Sequence, residues 1–98
     1  MFGNMMGKLQ EMKQKSEEVK KRLDTISVEG NAENSVKVIL TANRKITSIT
    51  FSDELLKEGD AEKIEDLSLI AINQALEKAE KIAEAEMQGI AKGMLPGF

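Results

Sequence analysis

Hydrophobic residues recur every three or four positions at the two ends of the chain and every two positions in the middle. Met5, Leu9, Met12, Ser16, Val19, Leu23 and Ile26 trace one seam, which predicts a helix from about Met5 to Asp24 because residues three and four apart share a helical face. Val28-Glu29-Gly30 reads as a short strand, with Gly30 a candidate bend or bulge. After the turn signal Asn34-Ser35, Val36, Val38 and Leu40 alternate with Lys37 and Thr41 as a second strand. Ala42-Asn43-Arg44 forms a hairpin turn in which Asn43 is the residue suited to positive φ. In the third strand, Lys45 to Phe51, Ile49 and Phe51 share a face but Ile46 is out of phase. Either a bulge at Thr47-Ser48 or packing of Ile46 on the opposite face accommodates it.

Ser52-Asp53-Glu54 caps a short turn carrying Leu55 and Leu56, and Asp60 is the N-cap of a last helix from about Ala61 to Lys92. At about 1.5 Å per residue that helix is roughly 48 Å long, far beyond the ~13 Å radius of gyration of a compact chain this size. Ile64, Leu67, Leu69, Ile70, Ile72 and Leu76 make its first half apolar over a wide arc, and Ala71, Ala75, Ala79 and Ala83 form a small-residue ridge suited to close approach of another helix. The fold class is α+β, a helix, a three-stranded antiparallel meander and a long helix, in one domain over residues 1–98 with loose tails at 1–4 and 93–98. So thin a core favours a homodimer, with Ile64, Leu67, Ile70, Ala71 and Ala75 as the candidate interface.

Composition narrows the chemistry. The chain has no His, Cys, Trp or Tyr, so thiol chemistry, thiolate zinc sites and the usual neutral-pH general base are absent. No Walker or dinucleotide pattern surrounds its glycines. These features argue against an enzyme, a resident cofactor or metal, and a small-molecule substrate. The longest apolar run is Leu69 to Ile72 and the N-terminus lacks a secretory pattern, which reads as a cytoplasmic protein with no membrane partner.

The net charge of −3 conceals an asymmetry. Residues 1–23 carry six bases against three acids, whereas residues 24–98 carry eight against fourteen. In the heptad frame Lys8, Lys15 and Arg22 lie on one shoulder of the first helix's seam, Lys13 and Lys20 on the other, and Lys21 faces outward. Local potential of this kind steers a polyanion even when the whole chain is acidic.

The opening Met1-Phe2-Gly3-Asn4-Met5-Met6, the helix rich in Lys, Gln, Met and Glu, Val28-Glu29-Gly30, the hairpin from Val36-Lys37-Val38 through Ile46, Ile49 and Phe51, Ser52-Asp53-Glu54-Leu55-Leu56, the Asn73-bearing final helix and the closing Leu95-Pro96-Gly97-Phe98 follow one another in a definite order. In that order and spacing the chain resembles the YbaB/EbfC family of bacterial nucleoid-associated DNA-binding proteins over nearly its whole length. The resemblance implies a tweezer-shaped homodimer with projecting helical arms. It further implies binding of double-stranded DNA with limited sequence preference, location at the nucleoid, and a part in organising it and influencing transcription. The chain departs from the family at Asn31-Ala32-Glu33-Asn34, where a glycine-rich loop is frequent, and at Thr41-Ala42-Asn43, where Asn-Gly is frequent.

Candidate DNA contacts are therefore Lys8, Lys13, Lys15, Lys20, Lys21 and Arg22, with Lys78, Lys81 and Lys92 as a second set on the last helix. Two uses compete for them. Shoulder lysines pair equally well with acids of a neighbouring helix, here Glu77, Glu80, Glu84 and Glu86. A small dimeric interaction or chaperone-like module, gripping a partner helix along the apolar seam, is the alternative to DNA binding. Phosphate binding collapses as salt rises, whereas apolar gripping persists.

Overall fold

The computed structural model describes residues 2–94, with side-chain surroundings for residues 7–89. The elements are helix α1 (Phe2–Asp24), strands β1 (Ser27–Ala32), β2 (Val36–Thr41) and β3 (Ile46–Phe51), a short helix α2 (Asp53–Glu58) and helix α3 (Ala61–Met94). The strands form an antiparallel meander in the order β1-β2-β3, as the period-two pattern predicts. Both long helices exceed their expected bounds. Helix α1 begins at Phe2 and not at Met5, and α3 continues through Gly93 to Met94, because an isolated glycine costs a helix about 1 kcal/mol without ending it. Of the expected loose tails, Met1 and residues 95–98 lie outside the described residues.

One layer of helix on one face of sheet makes the core. Val28 and Ala32 of β1 and Val36, Val38 and Leu40 of β2 pack on Leu67, Ala71, Ala75 and Ala79 of α3, with Leu55 of α2 closing one end. Ala71, Ala75 and Ala79 of the alanine ridge thus receive the sheet, while Ala83 at its end packs by α1 as a small-residue ridge predicts. Gly30 shows why: a Cβ there would lie 1.9 Å from the Ala71 carbonyl oxygen and 2.9 Å from the Ala75 nitrogen. Gly30 neither bends nor bulges its strand, since the β1–β2 register is unbroken from Ser27 to Ala32. Its lack of a side chain lets the helix backbone settle directly on β1.

The irregularity lies between β2 and β3. Ile39 pairs with Ser48 but Leu40 pairs with Ile46, so Thr47 is the extra residue of a bulge and Ile46 returns to the face that Ile49 occupies. Two turns close the meander. Glu33 and Asn34 both adopt positive φ (52° and 57°), with Ser35 N–H donating to the Ala32 carbonyl at 2.9 Å, the dihedral signature of a type I′ turn. In the second turn positive φ falls on Arg44 (66°), not Asn43. Arg44 N–H donates to the Thr41 carbonyl and Thr41 N–H to that of Lys45, the geometry of a three-residue hairpin loop whose last residue is left-handed.

The predicted caps are present. Ser52 accepts from Leu55 N–H at the start of α2, and Asp60 from Lys63 N–H at the start of α3. Gly59 ends α2 in the left-handed region (φ 67°). The molecule measures 67 × 21 × 19 Å with a radius of gyration of 19.1 Å, because α1 and the distal half of α3 extend well past the sheet.

Candidate nucleic-acid interface

The rotation of α1 is fixed by a small second core. Val19 and Leu23 are buried against Ala42, Ile26, Ile82 and Ala83, so the seam predicted from sequence does face α3 at its C-terminal end. Further out the cover is lost. Leu9 is 64% exposed and Met12 44%, and Met87 on α3 is half exposed; the side chains of Met5 and Met6 lie outside the described residues.

The rotation gives the two cationic shoulders different surroundings. On the first, the Arg22 Nη2 sits 2.6 Å from the Glu86 Oε2 of α3, and Lys15 lies 3.5 Å from Glu11 one turn back; Lys8 is exposed. On the second, Lys13 and Lys20 are exposed and join no ion pair among the described residues, and the same holds for the outward Lys21. The sequence left open whether the bases pair with α3 or remain available, and among the described ion pairs of α1 only that of Arg22 reaches α3. Arg22 and Glu86 hold α1 to α3, a contact between partly exposed groups that contributes about 0–1 kcal/mol.

The second set of candidates on α3 also divides. Lys78 Nζ donates to the Glu29 carbonyl at 2.7 Å, while Gln74 Oε1, four residues before it, accepts from Asn31 N–H at 2.8 Å. These two side chains satisfy backbone groups along the outer edge of β1. Lys81 is exposed, Lys92 lies outside the described side chains, and Asn73 faces solvent.

The candidate interface residues are placed mostly inside the subunit. Leu67, Ala71 and Ala75 are spent on its own sheet and Ile64 packs at its margin, while Ile70 is 54% exposed. The uncovered apolar surface lies elsewhere. Ile46 and Ile49, on the core face of β3, are 47% and 44% exposed. On α3, Ile72 and Leu76 pack only partly, with Leu69 on the same stripe 60% exposed. Sequence reasoning gave Ile46 and Ile49 no place among the interface candidates, although a third strand beyond the reach of one covering helix was the available signal.

It also passed over the β2–β3 turn. Asn43, Arg44 and Lys45 are exposed there, and Asn43 and Arg44 share with Lys20, Val19 and Leu23 a groove of about 150 Å³. Asn43 Nδ2 donates to Asp24 Oδ1 at 3.1 Å. At the opposite end of the sheet Glu33, Asp60, Glu62 and Asp66 surround an open depression with Lys63. A hydrogen bond to Glu58 at 2.9 Å raises the pKa of Lys63 above its ordinary value. No group of acids able to hold a metal is found among the described residues, and none of their helices is long and apolar enough to cross a membrane.

Comparison with known proteins agrees with this architecture. A nucleoid-associated protein of Flavobacterium johnsoniae is 43% identical over 95 residues, covering 96% of this chain and 88% of the relative. A second, from Chlorobium phaeobacteroides, is 38% identical over 97 residues, covering 98% and 86%. The crystal structure of the uncharacterized protein HP0035 from Helicobacter pylori superposes with a TM-score of 0.75 over 96% of both chains at 19% identity, which establishes a shared fold. Residues 1–94 match the YbaB/EbfC DNA-binding family, and the chain belongs to that family.

Proposed function

We propose that the protein is a nucleoid-associated protein that binds double-stranded DNA as a homodimer, through phosphates and with little base preference, and so acts in nucleoid organisation and transcription. The observation that carries the reading is the unpaired cationic shoulder of a projecting helix, Lys13 and Lys20 with Lys21 beside them, in a chain of a DNA-binding family. Lys8 and Lys81 are exposed and add to this surface. Lys15, Arg22 and Lys78, engaged by Glu11, Glu86 and the β1 backbone respectively, contribute less to DNA affinity than their charge suggests. The acids around Asp60 sit at the far pole, where they turn a polyanion towards the arm. Location at the nucleoid follows from this activity and from the names of the relatives.

The dimer rests on the asymmetry of the sheet. Its β1 edge is closed by Gln74 and Lys78, whereas β3 is an edge strand with Ile46 and Ile49 half exposed. Apolar residues on an open edge need a cover, and a second copy supplies one by a symmetric, self-complementary contact. The arms of two subunits would then project from a joined β region as tweezers.

A duplex-DNA shift assay over a salt series, with shuffled duplexes as competitors, tests the reading. Binding should weaken steeply with salt, about −0.9 in log K against log salt per phosphate contact, and equally for both duplexes. Salt-insensitive binding would point instead to the exposed seam at Leu9 and Met12 and to a module that grips a partner helix. Sedimentation should find a dimer of the 10.8 kDa chain.

A further inference from the structure

The basic surface does not end with α1. Packing of Val19 and Leu23 on Ala42 brings the β2–β3 turn against the last turns of the helix, so that Arg44 and Lys20 line one groove. Lys45 follows at the foot of β3, exposed like Arg44. Neither side chain makes an ion pair among the described residues. Two acids near this junction are engaged: Asp24 accepts a hydrogen bond from Asn43 and Glu86 pairs with Arg22. At about 150 Å³ the groove cannot receive a partner helix, but Lys20 and Arg44 put two cations on its lining. Lys13 lies seven residues before Lys20, roughly 10 Å back along the same helix, so the row of cations runs from the arm to the groove.

The backbone supplies an independent argument. Arg44 holds the left-handed position of the hairpin loop at φ 66°, where an arginine is strained and Gly or Asn is at ease. Asn stands one position earlier, so the loop has its best left-handed residue in the wrong place for stability. Strain kept at an exposed basic residue marks a site where the side chain is wanted for something other than folding.

We propose that Arg44, with Lys45, forms a second phosphate-contacting element that continues the Lys13–Lys20 shoulder from the helix onto the hairpin turn. This rests on the DNA-binding reading above. The guanidinium, with its forked donors, engages two oxygens of one phosphate, which makes Arg44 the strongest single contact in the row.

Arg44→Asn tests it, because the two roles of the residue move in opposite directions. The thermal midpoint should stay level or rise by a few degrees, since Asn accepts positive φ. The salt slope of DNA binding should flatten by about 0.9 if one subunit of the dimer engages the duplex and by about 1.8 if both do. Arg44→Lys should retain the slope while weakening binding, as a point charge replaces the fork. Lys45→Gln should flatten the slope in the same way as Arg44→Asn without touching the turn. Unchanged slopes in Arg44→Asn and Lys45→Gln, beside a Lys13→Gln/Lys20→Gln protein that does lose slope, would overturn the hairpin contact and leave the helix reading standing. Absence of any DNA binding by the unaltered protein would overturn the DNA-binding reading and the hairpin contact with it.

Discussion

The body and the arm of this molecule are held together by different amounts of the same interaction. In the body, Val36, Val38, Leu40, Ala71, Ala75 and Ala79 are fully buried and the helix backbone touches the strand at Gly30. In the arm, a three-residue cluster of Val19, Leu23 and Ala42 and the Arg22–Glu86 pair hold α1 against α3, and the seam is exposed at Met12 and Leu9. Buried apolar contact is concentrated in the body, while Lys13, Lys20 and Lys21, which join no ion pair among the described residues, lie on the arm, where packing is sparse. A substitution should therefore move either the melting curve or the DNA titration, seldom both.

The largest expected effect is at Gly30. Gly30→Ala places a methyl group against the Ala71 and Ala75 backbone, which must move because it has no rotamer to change. Overpacking of this kind costs about 3 kcal/mol or more. At ~4–8 °C per kcal/mol for a domain of this size, the thermal midpoint should fall by at least about 12 °C. A fall of only a few degrees would mean that α3 is less tightly seated on β1 than the structure has it. Next comes the arm's own core. Leu23→Ala removes a 4% exposed side chain and should cost about 2 kcal/mol, the low end for a buried leucine, because the cluster is small and its edge can relax. Hydrogen exchange should locate the loss: protection should fall along α1 while β1 and β2 hold theirs. Uniform loss would show that body and arm unfold as one unit.

The cations give a sharper contrast. Arg22→Gln should cost less than about 1 kcal/mol, and a double-mutant cycle with Glu86→Gln should return a coupling in the same range. It should leave the salt slope of DNA binding nearly unchanged. Lys13→Gln/Lys20→Gln should do the reverse, flattening the slope by about 1.8 per engaged subunit with no shift of the thermal midpoint. If Arg22 proves to matter more for DNA than Lys20, the Glu86 contact gives way when DNA binds and the two shoulders are not functionally distinct.

How far this could be read from sequence depended on whether a signal was local. The alternation of Val36, Val38 and Leu40, the Ser52 and Asp60 caps and the helical seam through Val19 and Leu23 are local, and each is found in the structure as the pattern predicts. The off-phase Ile46 forced a choice between two explanations, and the strand register selects the bulge. The partner of the alanine ridge was not legible, because small residues every four positions admit a helix or a strand equally well. Gly30 was the missing half of that motif, but its 41-residue separation from Ala71 hides the pairing. Positive φ went to Arg44 because a three-residue loop puts its last position in the left-handed region whatever residue stands there. Which shoulder of α1 meets Glu86 likewise depends on how the helix is rotated in its packing, a tertiary quantity that periodicity leaves undetermined.

The smallest predicted effect tests the arm from the stabilising side. Gly7 lies in the interior of α1 and Gly89 in that of α3, and a Cβ at either would meet nothing within 4 Å. Replacing a helical glycine by alanine in open space removes backbone freedom from the unfolded chain and stabilises by about 0.5–1 kcal/mol. The full gain appears only where the helix unfolds with the rest of the molecule. If the ends of α1 and α3 fray independently of the sheet, Gly7→Ala and Gly89→Ala should slow exchange of their neighbouring amides yet leave the global midpoint where it was. A rise of several degrees in that midpoint would instead tie the arm cooperatively to the body. The slender Val19, Leu23 and Ala42 cluster would then be a stronger link than its size suggests, and the separation of stability from DNA binding would fail at its weakest point.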